Sequence, residues 1–328
     1  MKHVAVALIV TTVLAGLLFW ALRKPKAIVR PLDAAELATF ELLQPVANLT
    51  LSSDGHVLAA ASREGIHAWR TTDGTLLSRI PWPDNGVWVM RLSGDGRILA
   101  TGGNEGRVSL WSTETGARLA DWIAHRSHVT ALAFSEDGQR IVSGGYDSDA
   151  KVWKAADGSL ISTCTAGTGG GSYFTDQAVA VLLSSNGRTA LAAMGSWTVT
   201  EFDADTGGRR RGWTTGQTWH ASLAWMPDAR VAVAGHSEIT ICGSSKRPSV
   251  EPTDGDVVIA AQGARVVSVT RDGILRRRIP GSRDEERVSI RRIDHLAVNG
   301  DGSLVAGFSE VSPAGAARIV VYRLRSAP

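Results

Sequence analysis

Cysteine is almost missing from this chain. Cys164 and Cys242 are the two it has in 328 residues, too few for a disulfide framework. Two thiols suit a reducing compartment without excluding an oxidising one. Charge of one sign is also scarce: the formal net charge is +3, small for this length, so no nucleic-acid partner is expected. The usual marks of catalysis are missing too. "GTGGGS" at 167–172 lacks the Lys-Ser/Thr that completes a phosphate-binding loop, and no serine sits in a G-x-S-x-G elbow. His125 and His128 stand three apart, yet no third metal ligand accompanies them. Most acidic residues fall in turns, where local hydrogen bonding accounts for them. No catalytic residue, cofactor or metal is therefore expected.

Hydrophobic residues make up 44% of the chain, enough for a large core in two domains or one large all-β domain. Residues 4–22, "VAVALIVTTVLAGLLFWAL", hold no charge. As a helix this run spans about 28 Å, close to the hydrocarbon thickness of a bilayer. Trp20 lies near one end, where an interfacial aromatic is expected. Lys2 and His3 also resemble the start of a cleaved signal peptide, but the apolar core is long for that role and no A-x-A site precedes "RKPK". The expectation is a single-pass transmembrane anchor at 4–22, a short tail at 1–3 and a linker at 23–35. Arg23, Lys24, Lys26 and Arg30 follow the run, which by the positive-inside rule favours the cytoplasmic face for the body. The short basic N-terminus also suits an export signal, which would put the body outside.

The rest of the chain repeats. "LTLSSDGHVLAAAS", "MRLSGDGRILATGG", "LAFSEDGQRIVSGG", "VLLSSNGRTALAAM" and "LAVNGDGSLVAGFS" each place Asp-Gly or Asn-Gly between two strand-like runs. That dipeptide predicts a hairpin turn with positive φ at both central residues. The turns begin at Asp54, Asp95, Asp137, Asn186 and Asp301, and the first four are 41, 42 and 49 residues apart. A second element follows each of the first four hairpins, an alternating strand that ends in Trp69, Trp111, Trp153 or Phe202, spaced 42, 42 and 49. Both elements stretch by the same amount at "TAGTGGGSYFTD", Thr165 to Asp176, which reads as an inserted loop. Four short strands every 40–45 residues is the period of a propeller blade. Fainter units at "ASLAWMPDARVAVAGHSEITIC", "AARVVSVTRDGILRRRI" and "HLAVNGDGSLVAGFSEV" bring the count to seven. The last unit supplies only three strands, so "ATFELLQ" at 38–44 is expected to close it and remove an exposed edge.

On these residues, 36–325 resembles a seven-bladed WD40-repeat β-propeller, with 36–44 as the closing strand of the last blade and 326–328 as a tail. The likeness extends to a membrane-anchored, bacterial member of that family. The unit "AHRSHVTALAFSEDGQRIVSGGYDSDAKVWKAADG" carries the resemblance best. It implies a buried hydrogen-bonded set of His125, Ser143, Asp147 and Trp153, which stabilises and carries no chemistry. Other blades depart from the pattern. Blade 2 keeps Thr101 and Trp111 but has Pro83 and Glu105 in the His and Asp positions, and blade 1 has Arg63 in the Asp position. The later blades show Phe202, Cys242 and Tyr322 in place of the Trp.

The family commonly binds proteins through the loops at one end of the ring. The resemblance therefore implies a protein or peptide partner, with Trp88, Asn104, His128, Tyr146 and Trp219 as candidate contacts. Aromatic residues are enriched at such interfaces. Arg209, Arg210, Arg211, Arg276, Arg277 and Arg278 are candidates for a basic rim facing anionic lipid head groups. The expected function is a non-catalytic membrane-tethered scaffold. The alternatives are an exported quinoprotein-like or envelope-assembly propeller, suggested by "STETGARLADW" and "DADTGGRRRGW", and a propeller enzyme using the central channel.

Overall fold

The computed structural model describes residues 28–42, 44–83, 86–165, 177–215, 222–226, 228–234, 238–243, 248–252, 256–262, 265–270, 273–278, 284–290, 295–310 and 317–326. They form seven blades of antiparallel strands, at 46–80, 89–123, 129–165, 178–214, 222–252, 256–289 and 295–326. In each, the chain runs from the innermost strand outwards and then crosses to the start of the next. The inner strands neighbour one another around the ring, and Val46–Leu51 of blade 1 lies beside His295–Val298 of blade 7. Among the described residues the only helix is a 3-10 turn, Asn104–Gly106, and no helix is long and apolar enough to cross a membrane. The expected span at 4–22 lies outside the described residues.

Closure comes from the N-terminal strand, Ile28–Leu42. Residues 32–42 pair antiparallel with Ala317–Ser326, the third strand of blade 7. The strand begins earlier than the sequence suggests. Residues 28–35, expected to be linker, are β-structure, because 28–31 also pair in parallel with 284–287 on the outer strand of blade 6. Blades 6 and 7 thereby join into one eight-stranded sheet. A linker without partners would leave the outer edge of blade 6 open, and pairing covers it.

The Asp-Gly turns differ from expectation in one respect. Only the glycine has positive φ, 76° at Gly55, 71° at Gly96, 69° at Gly138, 66° at Gly187 and 69° at Gly302. The aspartate keeps an ordinary backbone and uses its side chain. Asp54 Oδ1 accepts from Ser52 Oγ at 2.6 Å and from the His56 amide at 2.9 Å, while Gly55 N donates to Ser52 O at 2.9 Å. The same bonds recur at Ser93–Asp95 and Ser135–Asp137. These are longer loops built around a type I turn, selected by the serine two residues ahead rather than by the dipeptide alone.

Packing is between blades. The second strands are almost wholly apolar and small, as in "VLAAAS" and "TALAAM", so neighbouring sheets approach closely. Each large third-strand residue lies against the preceding blade. Trp111 joins Val57, Ala59 and Ile80 of blade 1, Trp153 joins Val108 and Leu110 of blade 2, and Phe202 joins Val142 and Val152 of blade 3. Two ends of the ring result, a turn face carrying the Ser-x-Asp-Gly turns and a loop face carrying the inter-blade connections.

Candidate functional site

Residues 125–153 of blade 3 hold a connected buried polar arrangement. His125 lies in the connection from blade 2, and Ser143 and Trp153 lie on the second and third strands, with Asp147 in the turn between them. His125 Nδ1 is 2.7 Å from Asp147 Oδ1, and His125 Nε2 is 2.7 Å from Ser143 Oγ. Trp153 Nε1–H donates to Ser143 Oγ at 2.8 Å, and the Arg126 amide donates to Asp147 Oδ2 at 3.1 Å. One proton arrangement satisfies every member: Trp153 to Ser143, Ser143 to His125 Nε2, and His125 Nδ1–H to Asp147. Full satisfaction is the condition for a buried polar network to stabilise. Burial pushes the Asp147 carboxyl upward, but the hydrogen bond and electrostatic pull of His125, the Arg126 amide and Lys151 outweigh it and bring it to about 2.

The order Ser143–His125–Asp147 copies the hydrogen-bond order of a hydrolase triad. Here it cannot serve one. Ser143 and His125 are 0% and 1% exposed, and the Ser143 oxygen already accepts the indole N–H, so no acyl group can reach it.

Residues 74–112 and 116–154 match the WD40 family model, "WD domain, G-beta repeat". Two stretches of the chain are thus similar to WD40 repeats. The second match contains all four residues of the buried set. The first runs from the outer strand of blade 1 through three strands of blade 2, so each of the two matched stretches laps two blades. The two matches and the seven-bladed ring together support the WD40 family, whose propellers are commonly interaction scaffolds and typically non-catalytic. In the first matched stretch the inner link survives without the outer one: Trp111 Nε1 donates to Thr101 Oγ1 at 2.9 Å, while Pro83 has no side-chain donor or acceptor and Glu105 is exposed.

On the loop face the structure brings three of the five candidate partner contacts into one cluster. Trp88 precedes the inner strand of blade 2, His128 precedes that of blade 3, and Tyr146 lies in the blade 3 turn. Trp88 stacks on His128 with centroids 4.7 Å apart and planes at 20°. Tyr146 stands edge-on to both, at 6.0 Å from Trp88 and 5.2 Å from His128. The Tyr146 amide donates to His128 O at 3.1 Å, and Asn48 Nδ2 of blade 1 donates to Trp88 O at 3.1 Å, so the cluster is fixed from both sides. Trp88 is nevertheless 48% exposed. Asn104 lies beside Gly86, two residues from Trp88. Trp219 lies outside the described residues, as do residues 166–176 of the expected insertion.

Trp197 was not among the candidates. It sits in the blade 4 turn on this same face, 49% exposed, with φ of 65°. A bulky residue in the left-handed region is an outlier, and such outliers concentrate at functional sites. Its carbonyl is pinned by the Thr215 amide at 2.7 Å. The signal was its place five residues before Phe202, matching Ser148 before Trp153, which also has positive φ.

The basic-rim reading needs correction in blade 6, whereas Arg209, Arg210 and Arg211 of blade 4 are exposed. Arg277 is 3% exposed, with Nε 2.6 Å from Glu286 and Nη1 3.3 Å from Gly302 O of blade 7. Strand alternation turns it inward, opposite a glutamate on the paired strand. Arg276 has only 11% of its side chain exposed, near Glu285, and Arg278 is half-buried. In blade 4, Arg209 is exposed, Arg210 pairs with Asp203 at 2.6 Å, and Arg211 pairs with Glu201 at 2.5 Å while lying over Trp213. Cys164 and Cys242 are buried and unpaired, and burial pushes their thiols up to about 11 and about 12. Among the described residues no group of three His, Cys, Asp or Glu side chains is placed to hold a metal.

Proposed function

We propose that this chain is a membrane-tethered, non-catalytic scaffold that holds a protein or peptide partner on its loop face, over blades 2 to 4. The Trp88–His128–Tyr146 stack carries the reading. A half-exposed tryptophan fixed by its neighbours loses little conformational freedom when covered, the condition under which aromatic residues dominate interfaces. Trp197 adds a second exposed aromatic on the same end, and the ends of the inserted segment, Thr165 and Gln177, border the same surface. The uncharged run at 4–22 supports tethering, and the basic residues that follow it favour the cytoplasmic side.

A photo-reactive residue at position 88 tests the site in the native cell. It is expected to cross-link a defined partner, with the yield falling at least five-fold on Tyr146→Ala. Equal cross-linking from position 72, on the turn face, would overturn the assignment. A reporter fused after Pro328 that works on only one side of the membrane settles the compartment.

A further inference from the structure

The path of the N-terminal strand decides which end of the ring lies nearest the apolar run. Leu32 stands opposite Ser326, at the turn-face end of its partner strand, and Leu42 stands opposite Ala317, at the loop-face end. The parallel pairing of Ile28 with Asp284 agrees, because residue 284 begins the outer strand of blade 6 after a turn-face connection. The strand therefore starts at the turn face and runs towards the loop face. Residues 23–27 are all that separate Leu22 from Ile28, a gap the chain can stretch to about 20 Å at most.

From this path we infer that the turn face, at the junction of blades 6 and 7, is held against the bilayer, and that the loop face with Trp88, His128, Tyr146 and Trp197 points away from it. The inference rests on residues 4–22 spanning the bilayer, as proposed above. A flexible linker would leave orientation free, but the strand that follows these five residues is hydrogen-bonded on two sides and forms part of the ring. Where the turn face of blades 7 and 1 opens into a cleft of about 500 Å³, Arg323 and Arg325 stand with Asp54 and Asp301, so this cleft has little net pull on anionic head groups. Arg23, Lys24, Lys26 and Arg30 follow the apolar run, so anionic lipid reinforces the orientation that the tether imposes, and the same orientation is expected on neutral and anionic membranes.

Single cysteines test this in the full-length chain, since buried Cys164 and Cys242 do not compete for a thiol-reactive dye. Thr72→Cys and Asp301→Cys report the turn face, and Arg126→Cys and Ser196→Cys report the loop face; all four positions are exposed. The labelled proteins are reconstituted into vesicles of phosphatidylcholine, with and without phosphatidylglycerol, that carry a head-group spin-labelled lipid as quencher. Quenching is expected to be at least three-fold stronger at 72 and 301 than at 126 and 196 in both compositions. Equal quenching at all four sites, or stronger quenching at 126 and 196, overturns the orientation and leaves the tether intact. Failure of the chain to float with vesicles after alkaline extraction overturns the tether and the orientation together.

Discussion

Phe40 and Trp69 face one another with ring centroids 5.1 Å apart and planes tilted by 39°. The first belongs to the closing strand of blade 7 and the second to blade 1, so this contact is where the two ends of the propeller meet. Both are buried in one cluster with Leu304, Phe308 and Ile319. Phe40→Ala is expected to cost about 3–5 kcal/mol through cavity formation. The check is a urea unfolding midpoint; a midpoint unmoved from that of the wild-type chain would mean that closure does not depend on this pair.

In the buried set of blade 3, Ser143 joins two groups at once. Ser143→Ala leaves both the Trp153 N–H and His125 Nε2 without a partner, for a cost of about 1–3 kcal/mol. Trp153→Ala removes the packing as well, at about 3–5 kcal/mol. The double variant should be less destabilised than the two costs added, because the residues share one network. Strict additivity in denaturation would show that they act separately.

Asp147 makes the fold sensitive to acid. Its folded value of about 2 lies below the ordinary 3.8, so between these values the unfolded chain binds the extra proton. The contribution, on the order of 2 kcal/mol, is present above about pH 4 and is lost as pH falls towards 2. Stability measured from pH 5 to pH 2 should fall more steeply in the wild-type chain than in Asp147→Asn. Parallel curves would show that the carboxylate contributes nothing in its charged form.

Ala229 occupies the position at which five other turns have glycine. Its φ is 60° and its amide donates to Met226 O at 3.0 Å, as Gly55 N does to Ser52 O. Ala229→Gly relieves the left-handed strain and is expected to stabilise by about 1 kcal/mol. A lower melting temperature for the variant would count against this.

Trp197 separates stability from binding. Trp197→Gly removes a side chain strained by its backbone, so the fold should be as stable or more so, while the cross-linking yield from position 88 falls. Loss of stability without loss of cross-linking would assign Trp197 a structural role.

Local signals were the legible ones. The turns at Asp54, Asp95, Asp137 and Asn186 and the aromatics at Trp69, Trp111, Trp153 and Phe202 kept step with one another, stretching together at the insertion, because each blade solves the same packing problem with its neighbours. That period, together with the Asp147–Trp153 spacing, led to the propeller and to the hydrogen-bonded set. Trp88, His128 and Tyr146 could be placed on one face by alignment of the hairpins, though their stacking could not. Trp197 stayed hidden because its unusual φ is a property of the folded turn. Arg277 was misread because a triple arginine looks solvated until the paired strand sets Glu286 opposite it.

By itself, then, the sequence determined the architecture of the ring: repeated turn chemistry and strand alternation are short-range, and close-packed blades follow from them. Only the tertiary structure decided where Ile28–Pro31 pairs, which arginines face inward and which aromatics meet on the loop face. Those contacts join residues far apart in the chain, and they depend on register and on the rotation of one blade against the next, which no local pattern encodes.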